Sequence, residues 1–352
     1  MMHRSILELT RNLPRFSLQE MSLFRIIASL CNNRHLPGLI LKCNFQKDLD
    51  FRLCARKGKE WEAVEAMANE LVSQICSSVL LKKRILELLW PMSYRIMLWK
   101  YIYAPSVSNR FLQQFYWTEQ GRIDNTRTAG CIIGNKSISV RNRFVLACSV
   151  CLVKEIFEMW IEMSNKEIAY FFTENDEKIS PLLFWAHILV GSDIVLRQYT
   201  DALKCAVKIG LLEAVKYLFT LTTEDAKSNM ARSGIDQLLT KLSEGEFLED
   251  ENDIGCFVFF EMTDYRQELV FNAFSAIAHL LLLRSSQYEL FLNLLEERMR
   301  SFTPLHFAVT HCMTFYTYHL EVVNDDDRRQ LLIDVWRMIP TSFRSCRFLQ
   351  DI

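Results

Sequence analysis

The chain has 352 residues, half of them hydrophobic and 24% charged, a balance that sets aside intrinsic disorder and supplies enough apolar material for a large core. Its 10 Gly and 7 Pro fall well under the usual roughly 7% and 5%, which sets aside turn-dense β architectures and favours helices. The net charge of −1 conceals a bipolar chain: residues 1–150 hold 22 Lys+Arg against 11 Asp+Glu, and the remainder hold 19 against 31.

From the N-terminus, MMHRSILELTRNLPRF carries charge at Arg4, Glu8, Arg11 and Arg15, so it lacks the unbroken apolar stretch of a secretory leader. Eleven cysteines, an odd number without framework spacing, fit a reducing compartment. The expectation is an intracellular protein, cytoplasmic or nuclear. In 61–89, Trp61, Val64, Met67, Ala68, Leu71, Ile75 and Cys76 form one helical stripe, which resumes through Leu80, Leu81, Ile85 and Leu88. Pro91 is expected to break it, giving a hairpin or one long kinked helix. The apolar window 85–104 carries Pro91, Arg95 and Lys100, and the window 271–283 is too short for a bilayer, so both read as buried helices and no membrane span is expected.

Between 104 and 142 the periodicity weakens into APSVSNR, FLQQFYW and TEQGRIDNTRTAG. Residues 1–110 are therefore read as a helical N-terminal region and 111–142 as a linker or irregular segment. Helical pattern returns over 143–163, 166–172, 181–190 and 201–221. Residues 243–255, SEGEFLEDENDIG, read as an acidic loop. Two apolar helices follow at 265–283 and 287–299, and Asp side chains of NDDD at 324–327 open a last helix. The body is placed at 143–340 and a tail at 341–352.

Several constellations bear on chemistry. Cys148 and Cys151 form a CxxC, but no second pair at usable spacing completes a four-ligand zinc site, and one helical turn on an apolar face makes them buried thiols. His306, His311, Cys312 and His319 have spacings that do not converge on one helical face. Asp250, Asn252, Gly255 and Glu261 match a calcium loop in part, but Ile254 stands where an oxygen ligand is needed. There is no Gly-rich phosphate loop, GxSxG elbow or HExxH helix. The expectation is therefore a protein without catalytic, cofactor-binding or metal residues. An unrecognised active site remains the second alternative to the leading reading. The first is nucleic-acid binding by the basic N-terminal third, through Lys82, Lys83, Arg84, Arg95 and Lys100 near Trp90, Trp99 and Tyr101.

The stretch DALKCAVKIGLLEAVKYLFTL, 201–221, carries the clearest pattern. Leu203, Ala206 and Val207 share one face; Gly210 suits the left-handed position that ends a helix; Ala214, Val215, Leu218 and Phe219 share the facing stripe. Lys204, Lys208, Glu213 and Lys216 stay in water. In TPLHFAV, 303–309, Thr303 caps, Pro304 fits the first helical turn and His306 bonds back to the preceding turn. These two segments resemble ankyrin repeats, with a weaker echo at 143–163, where Leu146 and Ala147 precede Cys151 in the glycine position and Ile156, Met159 and Trp160 follow, one residue out of step. The resemblance implies an all-α fold, an irregular helical solenoid of stacked helix pairs behind an N-terminal helical cap. It also implies a scaffold that binds another protein, here through Lys204 and Lys208, with Gly210, Thr303, Pro304 and His306 as structural motif residues.

Overall fold

The computed structural model describes residues 18–43, 58–118, 121–173, 180–191 and 196–223, together with Ile254, Phe257, Val258, Ile333 and Arg337. Among them lie eleven α-helices and no strand; the only extended pairing is a bridge between Trp117 and Ile123. Ser17–Gln237 and Lys241–Ile254 form one compact unit, which holds all five described stretches. The acidic loop, apart from Ile254, falls outside the described residues, as do TPLHFAV, with Thr303, Pro304 and His306, and the cluster His311, Cys312 and His319.

The N-terminal part is built from α1 (Leu18–Cys31), α2 (Leu36–Ile40), α3 (Lys59–Ile75) and α4 (Val79–Tyr103). Leu23, Ile27, Leu30 and Cys31 line the buried stripe of α1, and Trp61, Val64, Ala68 and Val72 that of α3. Glu60 and Glu62 in the first turn of α3 complement its N-terminal partial charge. The helix stops at Cys76, whose backbone is extended, and Ser78 restarts the chain by accepting the Leu81 N–H at 3.4 Å. The break therefore falls at Cys76–Ser78 and not at Pro91, which sits inside an uninterrupted α4. A proline there costs about 3 kcal/mol. Burial of Leu88, Leu89, Trp90, Met92, Ile96 and Trp99 around it, at roughly 1.5–3 kcal/mol for each large aliphatic or aromatic side chain, more than offsets that.

Segment 111–142, expected as a linker or irregular stretch, is instead stitched to its neighbours and contains a helix. Asn32 holds Phe115 from both sides, its Nδ2 donating to the carbonyl at 2.7 Å and its Oδ1 accepting the N–H at 2.9 Å. Asn109 Nδ2 donates to Leu41 O at 2.8 Å, and Arg95 Nη1 to Gly121 O at 2.7 Å. Gly121 has φ +70°, and a Cβ there would come within 2.7 Å of the Phe24 ring, so both backbone and space require glycine. Asp124 then caps α5 (Asn125–Ile133) by accepting the Arg127 N–H at 2.9 Å. The polar composition that reads as a loop is, in DNTRTAG, a cap followed by a short helix with Thr128, Ala129, Ile132 and Ile133 buried.

The body continues with α6 (Val140–Ser149), α7 (Val153–Glu162), α8 (Asn165–Thr173), α9 (Ser180–Leu189), α10 (Leu196–Ile209) and α11 (Leu212–Leu221). Consecutive helices pack in pairs, α6 with α7, α8 with α9 and α10 with α11. Helix α9 also packs on both α6 and α10, and α6 reaches α11. A capping box opens α8: Ser164 Oγ accepts the Glu167 N–H at 3.4 Å while Glu167 Oε2 accepts the Ser164 N–H at 2.9 Å. Phe144, Phe171, Trp185 and Ala186 fill the interior, with the Phe144 and Phe171 rings 5.1 Å apart.

Candidate interaction surface

In the α10–α11 hairpin, the first helix buries Ala202, Leu203, Ala206 and Val207, and the return helix buries Leu212, Ala214, Val215, Leu218 and Phe219. Between them Gly210 has φ +90°. The Leu211 N–H bonds to Ala206 O at 2.9 Å and the Gly210 N–H to Val207 O at 3.2 Å, the paired bonds that satisfy a helix's last carbonyls when the chain turns through a left-handed residue. Lys204 and Lys208 are exposed, as the helical phase requires, and Lys216 pairs with Glu213 at 3.0 Å on the half-buried flank.

The α6–α7 hairpin closes in the same way around a cysteine. Cys151 has φ +51°, the one positive-φ residue other than glycine among the described residues. The Leu152 N–H bonds to Ala147 O at 3.0 Å and the Cys151 N–H to Cys148 O at 3.4 Å. Aligning Cys151 with Gly210 places Ala147 on Ala206, Leu152 on Leu211, Ile156 on Val215 and Met159 on Leu218, all of them buried except the half-buried Leu152. The two second helices are thus in register and not one residue out of step. The cysteines correspondingly do not share a helical face: Cys148 lies in the last turn of α6, whereas Cys151 is the turn itself.

Burial raises the Cys148 thiol well above its ordinary range, with Cys151 adding to the shift. Burial likewise pushes Cys151 up to about 12; a hydrogen bond from Trp185 opposes the rise and the charge of Glu213 adds to it. Both stay protonated at neutral pH, so neither is poised as a thiolate nucleophile. The Cys151 thiol donates to Cys148 O at 3.6 Å. Through Trp185, whose ring lies 5.4 Å from that of Tyr217, this turn is tied to α9 and α11. Among the described residues no group of three or more His, Cys, Asp or Glu is placed to hold a metal.

A charged strut that periodicity does not reveal sits at the other end of α6–α7. Arg143 is buried, its Nε donating to Ile138 O at 3.1 Å and its Nη2 to Glu162 Oε1 at 2.6 Å; Lys136 reaches Glu162 Oε2 at 3.2 Å. These donors, Arg143 first, hold the Glu162 carboxyl below its ordinary range. Arg143 falls on the buried side of α6, where a sequence reading sees only a polar interruption.

The basic and aromatic residues of the N-terminal third separate on folding. Trp90 and Trp99 are buried, Trp90 edge-on to Trp61 at 4.7 Å and Trp99 stacked on Tyr103 at 5.6 Å, while Tyr101 is exposed. Arg95 is spent on Gly121 O and Lys100 on Asn109 Oδ1. Burial lowers the Lys100 ammonium's pKa. Lys82, Lys83 and Arg84 lie beside the turn of the α3–α4 hairpin. Compared with protein-family models, curated proteins and solved structures, the chain matches none.

Proposed function

We propose that this chain is a non-enzymatic protein-interaction module, a scaffold whose stacked helix pairs present an extended surface to another protein. The observation that carries the reading is the recurrence of one hairpin design, α6–α7 and α10–α11, closed by the same pair of backbone bonds with inward positions in register. A design repeated in one chain buries its apolar faces against neighbouring helices and leaves its polar faces side by side, where several modest contacts add up to a binding surface. A divergent ankyrin-like solenoid is the finer form of this proposal, and it rests on the Gly210 hairpin together with TPLHFAV. Exposed Lys204 and Lys208 are the proposed contact residues, suited to steering and orienting an acidic partner surface. The compartment proposed is intracellular, cytoplasmic or nuclear, on the cysteine pattern of the sequence. Among the described residues no helix is long and apolar enough to cross a membrane.

The test is chemical cross-linking with an amine-reactive reagent in a cell extract, followed by mass spectrometry. Cross-links from Lys204 and Lys208 to one and the same partner protein are expected, in preference to Lys154 on α7, which is also exposed. An even distribution over all exposed lysines counts against a defined face.

A further inference from the structure

Among the described residues, the α3–α4 hairpin reaches its turn with no buried side chain. Its helices run antiparallel: Trp61 meets Trp90 near one end, and Ser73 Oγ accepts from Lys82 Nζ at 3.2 Å near the other. From Trp61 to the end of α3 is about 20 Å at 1.5 Å per residue. No residue from Ser73 to Arg84 is buried. At the turn stand Ile75, Val79 and Leu80, exposed to 61%, 78% and 81%. Immediately behind them along α4 come Lys82, Lys83 and Arg84; the acidic residue that faces them is Glu87, 3.9 Å from Lys83 and 3.5 Å from Arg84 in solvent-exposed pairs.

We propose that this tip is a peripheral membrane contact: Ile75, Val79 and Leu80 enter the boundary between headgroups and acyl chains of an anionic bilayer, and Lys82, Lys83 and Arg84 rest against its headgroups. Three large aliphatic side chains exposed at one turn form an apolar patch of the kind that marks an interaction site. Their order along the hairpin, apolar outermost and cations just behind, matches the layering of a bilayer from hydrocarbon to negative headgroup. The excess of 22 Lys+Arg over 11 Asp+Glu in residues 1–150 adds long-range attraction to a negative surface. A nucleic acid fits less well, because base stacking needs exposed rings and Trp90 and Trp99 are buried, while the tip itself is aliphatic. The contact is superficial, since α4 does not qualify as a membrane-crossing helix. It is independent of the binding role proposed for α10–α11.

The experiment is co-sedimentation of the full chain with vesicles of phosphatidylcholine alone or containing one-third phosphatidylserine. The chain is expected to bind the mixed vesicles and not the neutral ones, with affinity falling as salt rises. Val79→Ser with Leu80→Ser should weaken binding by about tenfold or more. Lys82→Glu with Lys83→Glu should weaken it by about fivefold or more per cation removed and erase the preference for phosphatidylserine. Val79, Leu80 and Lys83 are exposed, and half-buried Lys82 bonds only to the exposed Ser73 hydroxyl, so melting temperatures stay near that of the parent. Val79→Trp should show blue-shifted emission with mixed vesicles only. Three results overturn the proposal: no vesicle binding by the parent chain, vesicle binding unaffected by the Val79 and Leu80 changes, or binding of a single-stranded RNA oligonucleotide that needs Lys82 and Lys83 while vesicles are ignored. A concentration-dependent dimer abolished by Val79→Ser with Leu80→Ser, without vesicle binding, would assign the tip to a second copy of the chain instead.

Discussion

The α6–α7 and α10–α11 hairpins reach one backbone geometry with different residues at the position that matters most. Gly210 adopts its left-handed conformation without a Cβ penalty, whereas Cys151 bears a strain of roughly 1–2 kcal/mol. Cys151 offers something glycine lacks: its sulfur accepts from the indole of Trp185, a ring only 2% exposed. Leaving a buried donor unpaired costs about 1–3 kcal/mol, the same order as the strain. One turn is therefore closed by conformational freedom and the other by a tertiary contact, at similar net cost. The contact also latches the Cys151 turn to α9, so its stability depends on a neighbour in a way that of Gly210 does not.

The largest effect expected is a cavity at the matched inward positions. Leu218→Ala and Met159→Ala should each lose roughly 2–5 kcal/mol in denaturant unfolding, with Met159 toward the lower end because an unbranched thioether's surroundings adapt more readily. A loss under about 1 kcal/mol at either position would mean that the two hairpins do not share an inward face.

The turns themselves should respond differently. Gly210→Val is expected to cost about 1–3 kcal/mol, since a β-branched side chain resists positive φ. Cys151→Gly relieves strain and loses the Trp185 contact, leaving stability within about 1 kcal/mol of the parent, while Cys151→Ala keeps the strain, loses the contact and is the less stable of the two. Equal melting temperatures for these two Cys151 variants would remove the strain argument.

These contrasts mark what the sequence makes legible. The Gly210 hairpin is readable because glycine, small Ala206 and the helical phase of Lys204 and Lys208 all point the same way. The Cys151 turn is only half readable, because cysteine says nothing about φ and its compensating partner, Trp185, lies in a later helix. Pro91 misleads for a related reason: local propensity opposes the helix, and the burial that overrides it comes from distant residues. Ile75 and Leu80 of the exposed tip belong to the same periodic stripe as buried Trp61 and Val64, and periodicity does not tell where along a helix the partner surface ends. The capped helix in DNTRTAG was hidden by polar composition, although Asp124 ahead of it is a recognisable start signal. TPLHFAV lies outside the described residues, so the resemblance it carries stands on the sequence.

A smaller, pH-dependent difference separates the hairpins, because only α6–α7 carries the Arg143–Glu162 strut. The Glu162 carboxyl is held below its ordinary value of about 4.3, chiefly by the Arg143 hydrogen bond, so its contribution is present above that value and lost as pH falls through the lower folded one. Thermal melts from pH 7 downward should show the parent losing stability in acid faster than Glu162→Gln. The difference is modest, because Glu162 is solvent-exposed and screened. Parallel curves would show that the strut does not titrate with folding.

The smallest effect on stability belongs to the surface that carries the functional proposal. Lys204→Glu with Lys208→Glu should change unfolding free energy by less than about 0.5 kcal/mol. The decisive measurement sets this double variant beside Leu218→Ala in quantitative affinity capture from cell extract, below the melting temperature of each. The account predicts that proteins retained by the parent chain are depleted at least tenfold by the lysine reversal and retained by the folded Leu218→Ala chain. Full retention of every partner by the lysine variant would contradict it, reducing α10–α11 to internal scaffolding and moving the interaction face elsewhere in the chain.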